Sequence, residues 1–200
     1  MKTVTATIWG TRPLLSHRFG EAAEGELAAT TRRVKVMVTQ ETPRSQAEKA
    51  VYRLPDGRFW VPGAAFARLM REAGSGIKIK GTRKYAKHGV PAAVTVMDDA
   101  VVLLDPKTNE PLTNYEVDSR PVVIPSTKGR IMRHRPRFDS WAAKVTIRVN
   151  DALMAEDFIF KLMADGGEQL GIGDFRPEKG GPFGTFRVVG WEVADGVAPE

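Results

Sequence analysis

The residues of this chain with the most chemical reach are cations set among glycines and aromatics. Between Ser119 and Phe138 there is no acidic side chain, while Arg120, Lys128, Arg130, Arg133, Arg135 and Arg137 are all present, with His134 among them. Arginine forks take phosphate oxygens two at a time and stack on bases. Phe138 and Trp141 stand beside them as expected stacking faces for unpaired bases. A second acid-free stretch holds Lys78, Lys80, Arg83, Lys84 and Lys87 around Tyr85. A third group lies near the end, where Gly171, Gly173, Gly180, Gly181 and Gly184 surround Arg176 and Lys179. Glycines let a backbone turn sharply and approach a ligand closely, and free N–H groups in such a loop form an anion-binding concavity. The loop lacks the Gly-Lys-Ser/Thr of a nucleotide-phosphate loop, and no helix pattern follows it as a dinucleotide site requires. His17 and Arg18 add a further basic pair. All these contacts would be salt-sensitive and indifferent to base sequence. They point to a single strand held along its phosphates.

Catalytic chemistry has less to work with. His17, His88 and His134 lie in three different segments, without metal-ligand spacing. The pairs Asp98-Asp99 and Glu156-Asp157 fall in or near regular elements and read as solvated faces. No serine sits in a nucleophile elbow. The chain has no cysteine, which excludes disulfides, thiolate metal sites and cysteine nucleophiles. No catalytic residue, metal or cofactor is therefore assigned. One enzymatic alternative stays open: metal-independent RNA cleavage, with His17 or His134 as general acid or base beside an arginine.

The elements that must position these residues can be read from periodicity. Two hundred residues with 42% hydrophobic content and a net charge of +6 suit one domain with a polyanionic partner. Thr3 to Trp9 alternate, with Val4, Ala6 and Ile8 on one face, as a half-buried strand does. Residues 20–31 read as a loop and Val34–Val38 as a short strand. Ser45 with Glu48 predicts a capped helix to Tyr52. Phe66, Leu69, Met70 and Ala73 predict a helix that starts after Pro62-Gly63 and stops at Gly74. Val94 to Leu104 reads as one strand, Val117 to Ile124 as another, and Trp141 to Val149 as a third. A helix over 153–165 follows, then the glycine loop and a strand over 183–193, with a frayed tail from Ala194. The fold class expected is α+β, a βαββαβ ferredoxin-like or RNA-recognition-type core in one domain. Insertions fall at about 12–58, 75–92 and 105–140, two of them basic. There is no apolar signal segment and no membrane-spanning run, so a cytoplasmic protein without a membrane partner is expected.

Three tracts in this order resemble the RAMP superfamily of CRISPR-associated proteins, in particular the subunits that form effector backbones along guide RNA. Val4 to Leu14 is similar to their first strand and its Pro-Leu turn. Phe59-Trp60-Val61-Pro62-Gly63 through Arg71 resembles their Pro-Gly entry into the first helix, with Ala64-Ala65-Phe66-Ala67 in place of the usual Ser-Ser-Leu-Lys. Gly171 to Val188 resembles their terminal glycine-rich loop. Arg130 to Trp141, with Gly171 to Pro177, also resembles short proteins carried by bacterial viruses and prophages. The resemblance implies non-catalytic binding of single-stranded RNA, or DNA in a viral relative, by copies side by side along the strand, in contact with CRISPR effector subunits. Family members that cut target RNA carry an Asp between the first strand and the Pro-Gly motif. Between Ser16 and Pro55 this chain has none, so the resemblance implies no target cleavage. A viral decoy that mimics such a subunit is the alternative from the interaction class.

Overall fold

Alternation at the start of the chain builds the central strand. In the computed structural model, which describes residues 1–18, 41–123 and 129–195, β1 (Lys2–Gly10) turns Val4, Ala6 and Ile8 into the core and Thr3, Thr5, Thr7 and Trp9 away from it. The elements that follow are β2 (Leu14–Leu15), α1 (Pro43–Ala50), β3 (Trp60–Pro62), α2 (Gly63–Ala73), α3 (Ala86–Ala93), β4 (Val94–Val96), β5 (Ala100–Leu104), β6 (Glu116–Val123), β7 (Arg130–Phe138), β8 (Ala142–Val149), α4 (Glu156–Gln169) and β9 (Phe186–Asp195). The fold is mixed α and β with antiparallel sheets. In the main sheet β1 lies between β8 and β9, β5 lies beyond β8, and β3 closes that edge; β4 shares the β8 edge with β5. Helices α2 and α4 cover one face through Phe66, Leu69 and Met70 and through Ile159, Leu162 and Met163, all buried with β1 and β8. Among the described residues no helix is long and apolar enough to cross a membrane.

A second sheet, β2-β7-β6, carries α1. It draws on two segments distant in sequence, one following β1 and one between β5 and β8. Phe138 lies 5.2 Å from Phe59 and 6.1 Å from Tyr115, ring centre to ring centre, and this aromatic cluster joins the second sheet to the main core. The outer half of the β6–β7 hairpin stands in solvent, with Val123, Ile131 and Met132 exposed.

Several elements differ from the sequence reading, each for a local reason. Val94 to Leu104 is two strands. The chain leaves the ladder at Met97-Asp98, and the Asp98 carboxylate takes the Thr146 N–H at 2.7 Å in place of a backbone carbonyl. Asp98 is thus a structural acceptor. Helix α4 begins three residues late, because Leu153 and Met154 turn back onto the Asn150 carbonyl. It also runs on through Gly166-Gly167. A Cβ at Gly166 would lie 2.5 Å from Leu69, and one at Gly167 2.6 Å from Phe186, so both glycines serve close packing and do not end the helix. Helix α1 is capped by Thr42, whose Oγ1 accepts from Ser45 N–H. Helix α3, absent from the sequence reading, packs Ala86, Val90 and Ala93 inward despite Pro91. Strand β7 includes the arginine tract, which the sequence shows only as a basic run. Strand β9 includes Ala194. The expected loop 20–31, the expected strand Val34–Val38 and Lys128 lie outside the described residues.

Candidate nucleic-acid interface

The inner end of β7 meets the glycine loop across the short strand β2. Leu14 pairs with Phe138 and Leu15 with Arg137, and Ser16 N–H donates to Pro136 O. On the other side of β2, Asp174 N–H donates to Leu15 O at 2.9 Å and Gly184 N–H to Pro13 O at 2.8 Å. The loop is stiff: Gly171, Gly173, Gly180 and Gly184 all have φ between 67° and 77°. Gly181 sits so close to Phe175 O that a Cβ would lie 1.8 Å from it. Most of the loop's N–H groups are already engaged. Those of Gly171, Ile172, Asp174, Glu178, Lys179, Gly180, Gly181, Phe183 and Gly184 all donate to backbone carbonyls. The expected concavity of free N–H groups is therefore replaced by a rigid, self-bonded loop that buries Ile172 and Phe183 and leaves Lys179 exposed.

Beside this seam is a cleft of about 260 Å³, walled by Leu15, Ser16 and His17, by Tyr52, by Ala65, Arg68 and Leu69 of α2, and by the loop from Gly171 to Glu178. His17 is half-buried and its Nδ1 has no partner. Desolvation pushes its pKa below the usual histidine value; nearby Asp174 pulls it up, and Arg133 and Arg135 push it further down. A neutral imidazole thus stands in the cleft among guanidinium groups. Arg135 is only 3% exposed and its Nη1 bonds Asp174 Oδ2 at 2.8 Å. Arg176 donates to Gly173 O at 2.7 Å and pairs with Glu178, which also takes Arg68. Arg137 pairs with Asp139. Arg18, Arg130, Arg133 and Lys179 are exposed, and no partner takes their side chains among the described residues. His134 meets Ser119 Oγ at 2.7 Å.

The second basic segment lies at the other end of α2. After Gly74 the chain forms a small turn in which Lys78 pairs with Tyr85, leaving Lys78, Lys80, Arg83 and Lys84 exposed. Lys87 reaches Glu72 at 3.8 Å, and Glu72 also takes Arg71. The solvent stripe of α2, with Arg68 at the cleft and Arg71 one turn on, links the two basic segments. The tract from Arg130 to Arg133 lies farther out on the β6–β7 hairpin.

Two expected stacking residues are not available. Phe138 and Trp141 are 3% and 1% exposed. Phe138 belongs to the aromatic cluster, and Trp141 lies against Gly10 with its Nε1–H bonded to Arg12 O at 2.9 Å. The aromatic that the sequence reading passed over is Trp9, 39% exposed on the outward side of β1. Its signal was its parity, opposite to that of Val4, Ala6 and Ile8. Among the described residues no group of three or more His, Asp or Glu side chains is arranged to hold a metal ion.

No family model matches the sequence and no curated protein matches it. Solved structures do. A chain of the cryo-EM structure of the type III-B Cmr-beta bound to cognate target RNA superposes with a TM-score of 0.57 at 9% identity, over 97% of this chain and 61% of that one. The likeness is one of fold. This chain spans about three-fifths of the length of the solved chain it matches.

Proposed function

We propose that this protein binds single-stranded RNA without cutting it, as a CRISPR effector backbone-like subunit, several copies lying along one strand. The single observation that carries the reading is the cleft. There the rigid glycine loop, helix α2 and the half-buried His17 come together from three distant segments, and the charge of the exposed Arg133 acts on the histidine from outside the cleft wall. Further support comes from the main sheet, whose order β9-β1-β8-β5 with α2 and α4 on one face suits the βαββαβ core proposed here. The solved chain of similar fold belongs to a structure described as bound to target RNA. In this reading the exposed Arg18, Arg133 and Lys179 take phosphates outside the cleft wall, and Lys78, Lys80, Arg83, Lys84 and Lys87 take the strand beyond α2. Arg130, with exposed Ile131 and Met132, reaches the segment held by the next copy. Arg135 and Arg176 act as positioning residues that fix the loop, together with Gly171, Gly173, Gly180 and Gly181.

Gel filtration with and without a forty-nucleotide strand, in RNA and DNA versions, tests this directly. RNA is expected to shift the protein to assemblies larger than one copy. The charge-reversed pair Arg18→Glu/Arg133→Glu is expected to weaken binding about tenfold at moderate salt, with a shallower salt dependence. Unchanged affinity in that variant would sink the cleft reading. A second reading is favoured by one observation: a neutral histidine with a free Nδ1 beside arginines is suited to take a proton from a ribose 2′-hydroxyl. Labelled RNA incubated without metal decides it, since intact RNA removes the nuclease.

A further inference from the structure

Helices α2 and α4 cover one face of the main sheet, and no described element packs on the other. That open face is not bland. On β1 it presents Thr3, Thr5, Thr7 and Trp9 in a row. In register, Trp9 faces Arg187 on β9, Thr7 faces Lys144 on β8, and Thr3 faces Arg148. Lys144, Arg148 and Arg187 are exposed, and none forms an ion pair or side-chain hydrogen bond among the described residues. Neither does the Trp9 ring meet another ring or a hydrogen-bond acceptor there. The carboxylates on this face are Glu192, opposite Thr5, and Asp98, whose Oδ2 is held by Thr146 N–H.

We propose that the open face of the main sheet is a second single-strand platform, on which a base stacks on Trp9 and the flanking phosphates meet Arg187, Lys144 and Arg148. Side chains opposite each other on neighbouring strands lie about 5 Å apart, and diagonal ones about 7–8 Å. Arg187 and Lys144 therefore flank the indole at the distance of phosphates next to a stacked base. From Trp9 to Thr3 the strand runs roughly 20 Å, room for a few nucleotides. The threonine hydroxyls between offer hydrogen bonds to sugar or phosphate oxygens. The face lacks the desolvated apolar centre that protein docking needs, whereas an exposed indole amid unpaired cations matches the stacking-and-charge design of single-strand sites. The platform stands on its own residues and does not depend on the cleft. One strand can nevertheless visit both, because Thr11 N–H donates to Thr185 O and sets the Trp9 end of β1 beside the glycine loop.

The test is fluorescence anisotropy of the full chain with a labelled twenty-nucleotide poly-uridine RNA over a range of salt. Trp9→Ala is expected to weaken binding about tenfold with an unchanged salt slope, and Trp9→Phe to retain most of the affinity. Lys144→Glu/Arg148→Glu is expected to flatten the slope by about 1.4, at about 0.7 per phosphate contact. Wild-type affinity and slope in both variants, with unchanged melting, would overturn the platform and leave the face to a protein partner. Should Trp9→Ala fail to fold, the charge pair alone decides, and wild-type binding there overturns the proposal. Failure of Arg18→Glu/Arg133→Glu to change binding while these variants do would remove the cleft reading only.

Discussion

Two segments of this protein are equally rich in cations and end in different physical states. At the seam between β7 and the glycine loop, Arg135, Arg137 and Arg176 each meet a carboxylate, from Asp174, Asp139 and Glu178. Their charge fixes backbone, and among the described residues Arg133 and Arg18 are left free at the edge. In the turn from Lys78 to Lys84 the cations meet none of the described carboxylates, and Lys87 reaches Glu72 only at 3.8 Å. The first region is a rigid frame with a few presented charges, while the second is an exposed cluster on a short turn. A run of basic residues therefore does not say how many charges a ligand can reach. Burial decides that, together with nearby acids on the same segment, as for Arg137 and Arg176, and acids brought by another, as for Arg135.

The contrast can be broken at its stiffest point. Gly181→Ala would drive a Cβ to 1.8 Å from Phe175 O, and Gly184→Ala, at φ 71°, to the same distance from Ile172 O. Each is expected to cost about 3–5 kcal/mol in urea unfolding. Gly180→Ala, at φ 75° but with nothing within 4 Å, is expected to cost about 1–2 kcal/mol from backbone strain alone. Equal losses at the two kinds of site would show that the loop is not a fixed frame. Asp174→Ala leaves Arg135 buried without its counter-ion and is expected to cost about 3 kcal/mol. Lys80→Glu/Arg83→Glu, in the open turn, should stay within about 0.5 kcal/mol of wild type.

Binding is expected to rank the two regions the other way. Lys80→Glu/Arg83→Glu should weaken RNA binding by about 1.4 kcal/mol, with a salt slope shallower by about 1.4. An unchanged slope would mean that the turn does not touch the strand. The smallest expected effect is the pH dependence of His17. Its pKa is lowered on folding, so its contribution to stability is complete above the unfolded value near 6.5 and is lost as pH falls through the lower folded value. His17→Gln should remove that part of the acid sensitivity. A phosphate in the cleft favours the protonated ring, so RNA affinity should rise as pH falls in wild type and not in His17→Gln.

The βαβ order of the main sheet was largely legible, because strands such as β1 and β8 alternate strictly and α2 and α4 carry clear apolar stripes. What escaped had competing local signals. Pro136 and dense arginine hid strand β7, Pro91 hid helix α3, and Gly166-Gly167 looked like a stop although they are packing contacts. The stacking faces were misplaced for a similar reason. Phe138 and Trp141 border basic residues in sequence, but the β2–β7 pairing and the close approach of Gly10 draw both inward. Trp9 was in plain view, since its parity on β1 already set it apart from the buried residues.

By itself the sequence determined the excess of positive charge, the strand and helix periods and the lack of thiol chemistry. Those depend on residue type and near-neighbour spacing. Tertiary structure alone decided that Arg135 is buried against Asp174, which aromatics meet solvent, and that His17, helix α2 and the glycine loop share one cleft. Such outcomes depend on segments far apart along the chain being brought into contact, where desolvation and charge pairing act on their side chains.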